Sequence, residues 1–330
     1  MKRIAAALAA MAWLSPCWLQ AQAVVYEGGG GPGKGKHIVF VVGDQEYRSE
    51  ESMPALARIL AARQGFKCTV LLPINRQTGE IDPSVADNIP GLEALRSADL
   101  MVLFLRFQEL PDRQMKEIID YTDSGRPIVA LRTSTHAFNY LKRLDSPYAR
   151  YSYRSTEPAG GYGRLVLGET WINHYGVHEK ESHRAIAAPG MEKHPLLGGV
   201  KDVWGESDVY EVTTLSGDSR PVMLGQVLSG MSPSSTLNLT KTKPMPVAWV
   251  KSYTGASGKP ARIFTTTMGH ALDFKSEGFR RLMVNACYWS LGMEAQIAPT
   301  TSVDFVRPYE PTPIGEQKFK RGVRTADLSP

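Results

Sequence analysis

Cysteine is scarce in this 330-residue chain, with three in all, and a fold stapled by disulfides is thereby excluded. Cys17 falls in a segment read below as a removable leader, which leaves Cys68 in an apolar strand-like run and Cys287 in a helix-like run. Two buried free thiols are expected, with pairing in an oxidising compartment as the alternative. Neither lies on a strand-to-helix turn, so neither is placed as a nucleophile. Surplus charge is small as well, formally +5. With no run of Lys and Arg longer than a few residues, the basic stripe of a nucleic-acid binder is missing. No apolar run reaches the roughly 20 residues of a membrane span. No internal repeat is visible. The glycine-rich stretch from Gly28 to Gly35 precedes the first strand instead of following it, so it is no phosphate loop and no nucleotide is expected.

The chain opens with Lys2 and Arg3, a short apolar run from Ile4 to Leu14, and a small-x-small site at Ala21-Gln-Ala23. Together these read as a signal peptide cleaved near Ala23, placing the mature protein in the periplasm or outside the cell. Pro16 argues against lipid attachment at Cys17. Removing residues 1–23 takes two positive charges away, leaving +3 on about 307 residues, enough for one large or two modest domains.

A Gly-rich lead over 24–36 reads as a tether. The run His37-Ile-Val-Phe-Val-Val-Gly43 is continuous and apolar, as in a strand buried on both faces of a parallel sheet. Helical spacing follows from Met53 to Ala62, then a second strand over 66–72 and a third over 99–105. A helix starts at Pro111 and stops at Gly125. Pro127 to Leu131 is a fourth strand running into the polar turn Arg132-Thr-Ser-Thr-His136 and a helix. This alternation predicts a doubly wound, parallel α/β sheet with helices on both faces. From Asp145 to Val200 neither period holds, which predicts a long functional excursion over the sheet edge. Strands are expected again at 183–188, 209–213, 222–227, 247–252 and 262–267, with a closing helix over 276–291. Residues 294–330 carry five prolines and read as a tail draped over the surface or partly disordered.

Ligands of an open α/β sheet sit at the carboxyl ends of its strands. Four histidines fall there or on the excursion: His136, His270, His174 and His178. The last two are spaced i, i+4, which on a helical turn would present both rings to one metal. Each alone reads more readily as a hydrogen-bonded core or rim residue; as a set they point to a site. Glu46 is a candidate base in the loop after the first strand. Arg132, Arg48 and Arg106 are candidates to hold a substrate oxygen or to fix those loops through ion pairs. Ser134, Glu169 and Trp171 complete the candidate substrate contacts. A nucleophile elbow needs small neighbours two residues either side, and around Ser134 these are Arg132 and His136, so serine catalysis is set aside. A divalent metal, zinc by ligand type, would suit His174 and His178 with His136 or His270.

The Gly-Asp-x-Glu-Tyr-Arg loop after the first strand, the Leu-Arg-Thr-Ser-Thr-His-Ala-Phe turn, the Asn-His-Tyr-Gly-x-His segment and the Thr-Thr-Met-Gly-His-Ala-x-Asp-Phe turn with its closing helix resemble the ThuA-like (trehalose utilisation) family over roughly residues 36 to 293. That resemblance implies a flavodoxin-like fold similar to class I glutamine amidotransferases. It also implies a link to disaccharide catabolism through sugars oxidised at the 3-position. The amidotransferase cysteine has no counterpart here, since Thr133 or Ser134 stands at that place. The expected function is an extracytoplasmic carbohydrate-active enzyme acting on a sugar or keto-glycoside by acid/base chemistry, with a metal as an optional aid. The rival is a non-catalytic carbohydrate-binding or scaffold protein. A small carbohydrate is the expected ligand, and the oligomeric state is left open.

Overall fold

The structure, a computed structural model, describes residues 23–329. The leader expected at 1–23 lies outside the described residues except for Ala23. No helix among those described is long and apolar enough to cross a membrane.

The first of the parallel strands, β2 (His37–Gly43), shows how the sequence builds the layers. Its side chains alternate: Ile38, Phe40 and Val42 enter one core, and Val39 and Val41 enter the other. A strand apolar at every position is what a sheet covered on both faces requires. Helices α1 (Ser49–Gln64) and α3 (Glu277–Ser290) cover one face through residues such as Leu56, Leu282 and Met283. Helix α2 (Asp112–Asp123) covers the other through Met115 and Ile118. Gly65, at φ 84°, closes α1 with its N–H on the Ala61 carbonyl, a left-handed cap that favours glycine. The Ser276 side chain caps α3 by accepting the Phe279 N–H.

The remaining strands are β1 (Ala23–Tyr26), β3 (Lys67–Leu71), β4 (Leu100–Leu105), β5 (Ile128–Leu131), β6 (His183–Ala187), β7 (Val203–Gly205), β8 (Arg220–Val227), β9 (Met245–Thr254) and β10 (Pro260–Thr266). They form one ten-stranded sheet in the order β1-β3-β2-β4-β5-β10-β9-β8-β6-β7. The stretch β3-β2-β4-β5-β10 is parallel. In chain order those five strands sit 2-1-3-4-5, a doubly wound order whose switch point lies between β2 and β4. The α/β class stands, but the sheet is mixed, not parallel throughout. Strand β1 adds antiparallel at one edge, and β9, β8, β6 and β7 continue antiparallel at the other.

Several local expectations are corrected. The lead is no tether: β1 pairs with β3, and the Gly33 N–H donates to the Gln64 carbonyl. No α-helix follows β5. Residues Arg132–His136 form one 3-10 turn, and the chain then runs extended beside Gln108 through a parallel bridge to Phe138. Residues 209–213 form no strand, because they pair with the excursion through the bridge His174↔Tyr210. The tail over 294–330 is packed: Val303 and Phe319 are buried, and the Tyr309 hydroxyl donates to the Ala271 carbonyl. Cys68 and Cys287 are both free and buried, as expected.

Candidate functional site

The rim at the carboxyl ends of β2, β4, β5 and β10 is organised by Asp44, a buried carboxylate just past β2. It accepts the Glu46 N–H at 2.8 Å and the Thr133 hydroxyl at 2.5 Å, tying the β2 loop to the β5 turn. Thr133 is thereby committed as a donor. Ser134 points under the sheet edge, its hydroxyl donating to the Leu103 carbonyl at 2.8 Å, so it does not reach the rim. Arg48 holds a left-handed φ of 60°, and its guanidinium donates to the Gln45, Glu46 and Gly315 carbonyls. It fixes the loop and the tail and is fully buried, which removes it as a substrate contact.

Arg132 is buried too. Its guanidinium lies between the Tyr47 and Tyr210 rings, 4.5 and 4.0 Å from their centroids. It donates to the carbonyls of Asp208 and Thr267 and, at 2.7 Å, to the Asp208 carboxylate. The arginine therefore acts on Asp208 and not directly on a ligand. Asp208 in turn receives His174 Nδ1 on Oδ2 at 2.6 Å and His178 Nδ1 on Oδ1 at 3.1 Å. Burial alone would raise its pKa. The Arg132 charge and the two imidazoles outweigh burial and hold the carboxyl well below the usual range.

His174 and His178 do come together, though not on a helical turn. Residues 171–178 are irregular, and the N–H groups of Tyr175 and Gly176 both donate to the Val209 carbonyl. That pairing sets the two rings side by side, 5.1 Å apart, over Asp208. His178 also faces Glu46 at 3.3 Å, and its hydrogen bonds to Asp208 and Glu46 raise its pKa to about 9. For Glu46, burial is offset by His178 and by Arg106 at 3.0 Å, so its carboxyl stays ionised below the ordinary range. Arg106 is shared with Glu316 of the tail, also at 3.0 Å.

The four histidines form a row and not one shell. The His136 ring lies 5.5 Å from Trp171 and tilted against it, Trp171 sits 5.7 Å from His174, and beyond His178 the Tyr47 ring lies 5.9 Å from it and 6.1 Å from His270. His136 is buried among Phe107, Tyr153 and Tyr210, and burial keeps it neutral. His270 is buried with neither ring nitrogen hydrogen-bonded, and its nearest carboxylate is Glu206 at 3.8 Å. Burial pushes it down to about 4. A cavity of about 290 Å³ joins His178, Asp208 and His270 to Tyr47, Glu206 and Lys318.

Glu169 is not brought to this row. It is buried against Arg164 and the Thr170 N–H, where it fixes its own turn. The sequence reading passed over Asp208, Tyr47 and Tyr210. The Glu206-Ser-Asp208 triplet ahead of an apolar stretch was the available signal for the first. The aromatic pair around Arg132 had none, since stacking partners 85 residues before and 78 residues after the arginine carry no local pattern.

Chemically, His174 and Asp208 make a carboxylate-oriented imidazole with its Nδ1 committed and its ring a third exposed. Among the described residues, His174, His178 and Asp208 also form one group able to hold a metal, their ligand atoms all within 4.8 Å of one another. Two imidazoles and a carboxylate suit a zinc-type ion.

No protein-family model matches the sequence, and neither does any curated protein. Among solved structures, a protein of Parabacteroides merdae described as ThuA-like superposes with a TM-score of 0.51 at 14% identity, covering 90% of this chain and 100% of that one. A second ThuA-like protein, from Bacteroides uniformis, gives 0.47 at 12% identity over 82% and 96% of the two chains. The first likeness places the chain with a ThuA-like fold.

Proposed function

We propose that this rim is an acid/base site that removes a proton next to the carbonyl of a sugar-derived ketone, in an enzyme working outside the cytoplasm. The observation that carries the reading is the relay Arg132–Asp208–His174. The buried arginine keeps the carboxylate charged, the carboxylate fixes the Nδ1–H tautomer of His174, and Nε2 is left as the base. In the step, the C–H bond breaks, its proton goes to His174 Nε2, and the electron pair moves onto the carbonyl oxygen as an enolate. His178, held as a cation between Asp208 and Glu46, places positive charge beside that oxygen. Trp171, flanking His174, offers a face for a sugar ring. The substrate class comes from the sequence resemblance to the ThuA-like family and its 3-keto sugars; the ThuA-like fold supports the family likeness alone.

A metal-assisted version rests on the His174, His178 and Asp208 ligand set. A zinc-type ion there would polarise the ketone oxygen, with Arg132 still orienting Asp208. Metal analysis of the purified protein decides between the versions: a stoichiometric ion removed by chelator favours the second.

Turnover of a panel of glycosides and 3-keto-glycosides by the wild type and by His174→Ala tests the proposal. Turnover that falls by about a thousandfold in the variant supports it. Sugar binding without turnover in either protein would favour the non-catalytic, carbohydrate-binding alternative.

A further inference from the structure

A second cavity, of about 460 Å³, lies between α1 and the C-terminal tail, away from the histidine row. Its floor is apolar. Phe305 and Tyr309 stack with centroids 4.3 Å apart and planes 18° off parallel, and Ile81, Val323 and Leu328 add to this apolar part of the lining. Arg58 and Arg307 both face it. Burial, joined by the Arg307 charge, lowers the pKa of Arg58. Neither makes an ion pair among the described residues. Arg58 spends one nitrogen on the Leu328 carbonyl and leaves Nε buried without a partner.

The acids in the same cavity are otherwise committed. Glu51 accepts the Thr312 N–H, Glu310 pairs with Lys275, and Asp327 caps its own turn on the Arg324 N–H. Glu50 is the exception. It is more than nine-tenths buried, its two oxygens make no hydrogen bond, and Arg48 approaches only to 3.4 Å. Burial raises its pKa to about 8 even against Arg48, so at neutral pH it stands largely as a carboxylic acid and can donate.

Two like charges facing one cavity repel, and an anion lying between them relieves that repulsion. We propose that this cavity binds a small organic anion, a carboxylate or phosphate on an apolar body, with Arg58 and Arg307 on the charged end and the Phe305–Tyr309 stack under the body. Glu50 supplies a hydrogen bond to the ligand.

Isothermal titration of the intact protein with phenyl phosphate, inorganic phosphate and phenol tests this, alongside Arg58→Gln and Arg307→Glu. Arg307 is exposed, so its variant should fold even if Arg58→Gln does not. The expected result is measurable binding of phenyl phosphate, weaker by tenfold or more in Arg307→Glu, with inorganic phosphate weaker still and phenol silent. Absence of phenyl phosphate binding, affinity unchanged in Arg307→Glu, or equal binding of phenol or of inorganic phosphate would overturn the proposal.

Discussion

Asp208 carries more of the site than any histidine. Breaking a buried ion pair leaves an uncompensated charge and costs about 3–5 kcal/mol, so Asp208→Asn should lower stability by about 3 kcal/mol in urea denaturation by this reasoning. A change below about 1 kcal/mol would mean that Arg132 finds another partner. His270 makes a separate prediction through pH. Its native pKa of about 4 lies below the ordinary 6.5, so between these values the unfolded chain binds a proton that the native protein does not. Stability therefore rises with pH across that window and is lost on acidification, by about 3 kcal/mol in all. His270→Gln should flatten this acid limb, and an unchanged limb would show that the ring is solvated. At this scale the sequence made the four histidines visible, because each follows a strand or sits on the irregular excursion. It hid Asp208, whose role depends on an arginine 76 residues away.

Among the elements, the tail matters most for the site. Its Gly315 N–H donates to the Glu46 carbonyl, and Pro313, Ile314 and Lys318 wall the histidine cavity. Its anchors differ in strength. Glu316 is largely exposed, so Glu316→Ala should cost less than about 1 kcal/mol. Tyr309→Phe deletes a partly buried hydrogen bond and should cost about 1 kcal/mol. Thermal unfolding of both variants checks the order, and the reverse order would contradict the packing described. The parallel strands were legible because burial on both faces writes an unbroken apolar run. The antiparallel half was read in part: β6, β8 and β9 announce themselves, whereas the three residues of β7 are too few to show a period. The i, i+4 spacing of His174 and His178 predicted that the two rings meet on a helical turn; they do meet, but cross-pairing with Val209 and not a helix aligns them.

For the molecule as a whole, the two thiols report on packing. Burial raises both Cys68 and Cys287, the latter to about 12, so native protein should resist iodoacetamide and label at both positions in denaturant. Labelling of either in the native state would contradict a closed core. The leader expected from the sequence makes the remaining prediction at this scale: amino-terminal sequencing of the protein recovered from its native host should begin at Val24, and a retained start would remove the proposed extracytoplasmic placement. Proton removal by His174 beside a ketone is read out by deuterium wash-in. A 3-keto-glucoside incubated with the protein in D₂O and followed by NMR should gain deuterium at the carbon next to the carbonyl. His174→Ala should abolish that gain. Absence of exchange with the wild type, or exchange undiminished in the variant, would contradict the account.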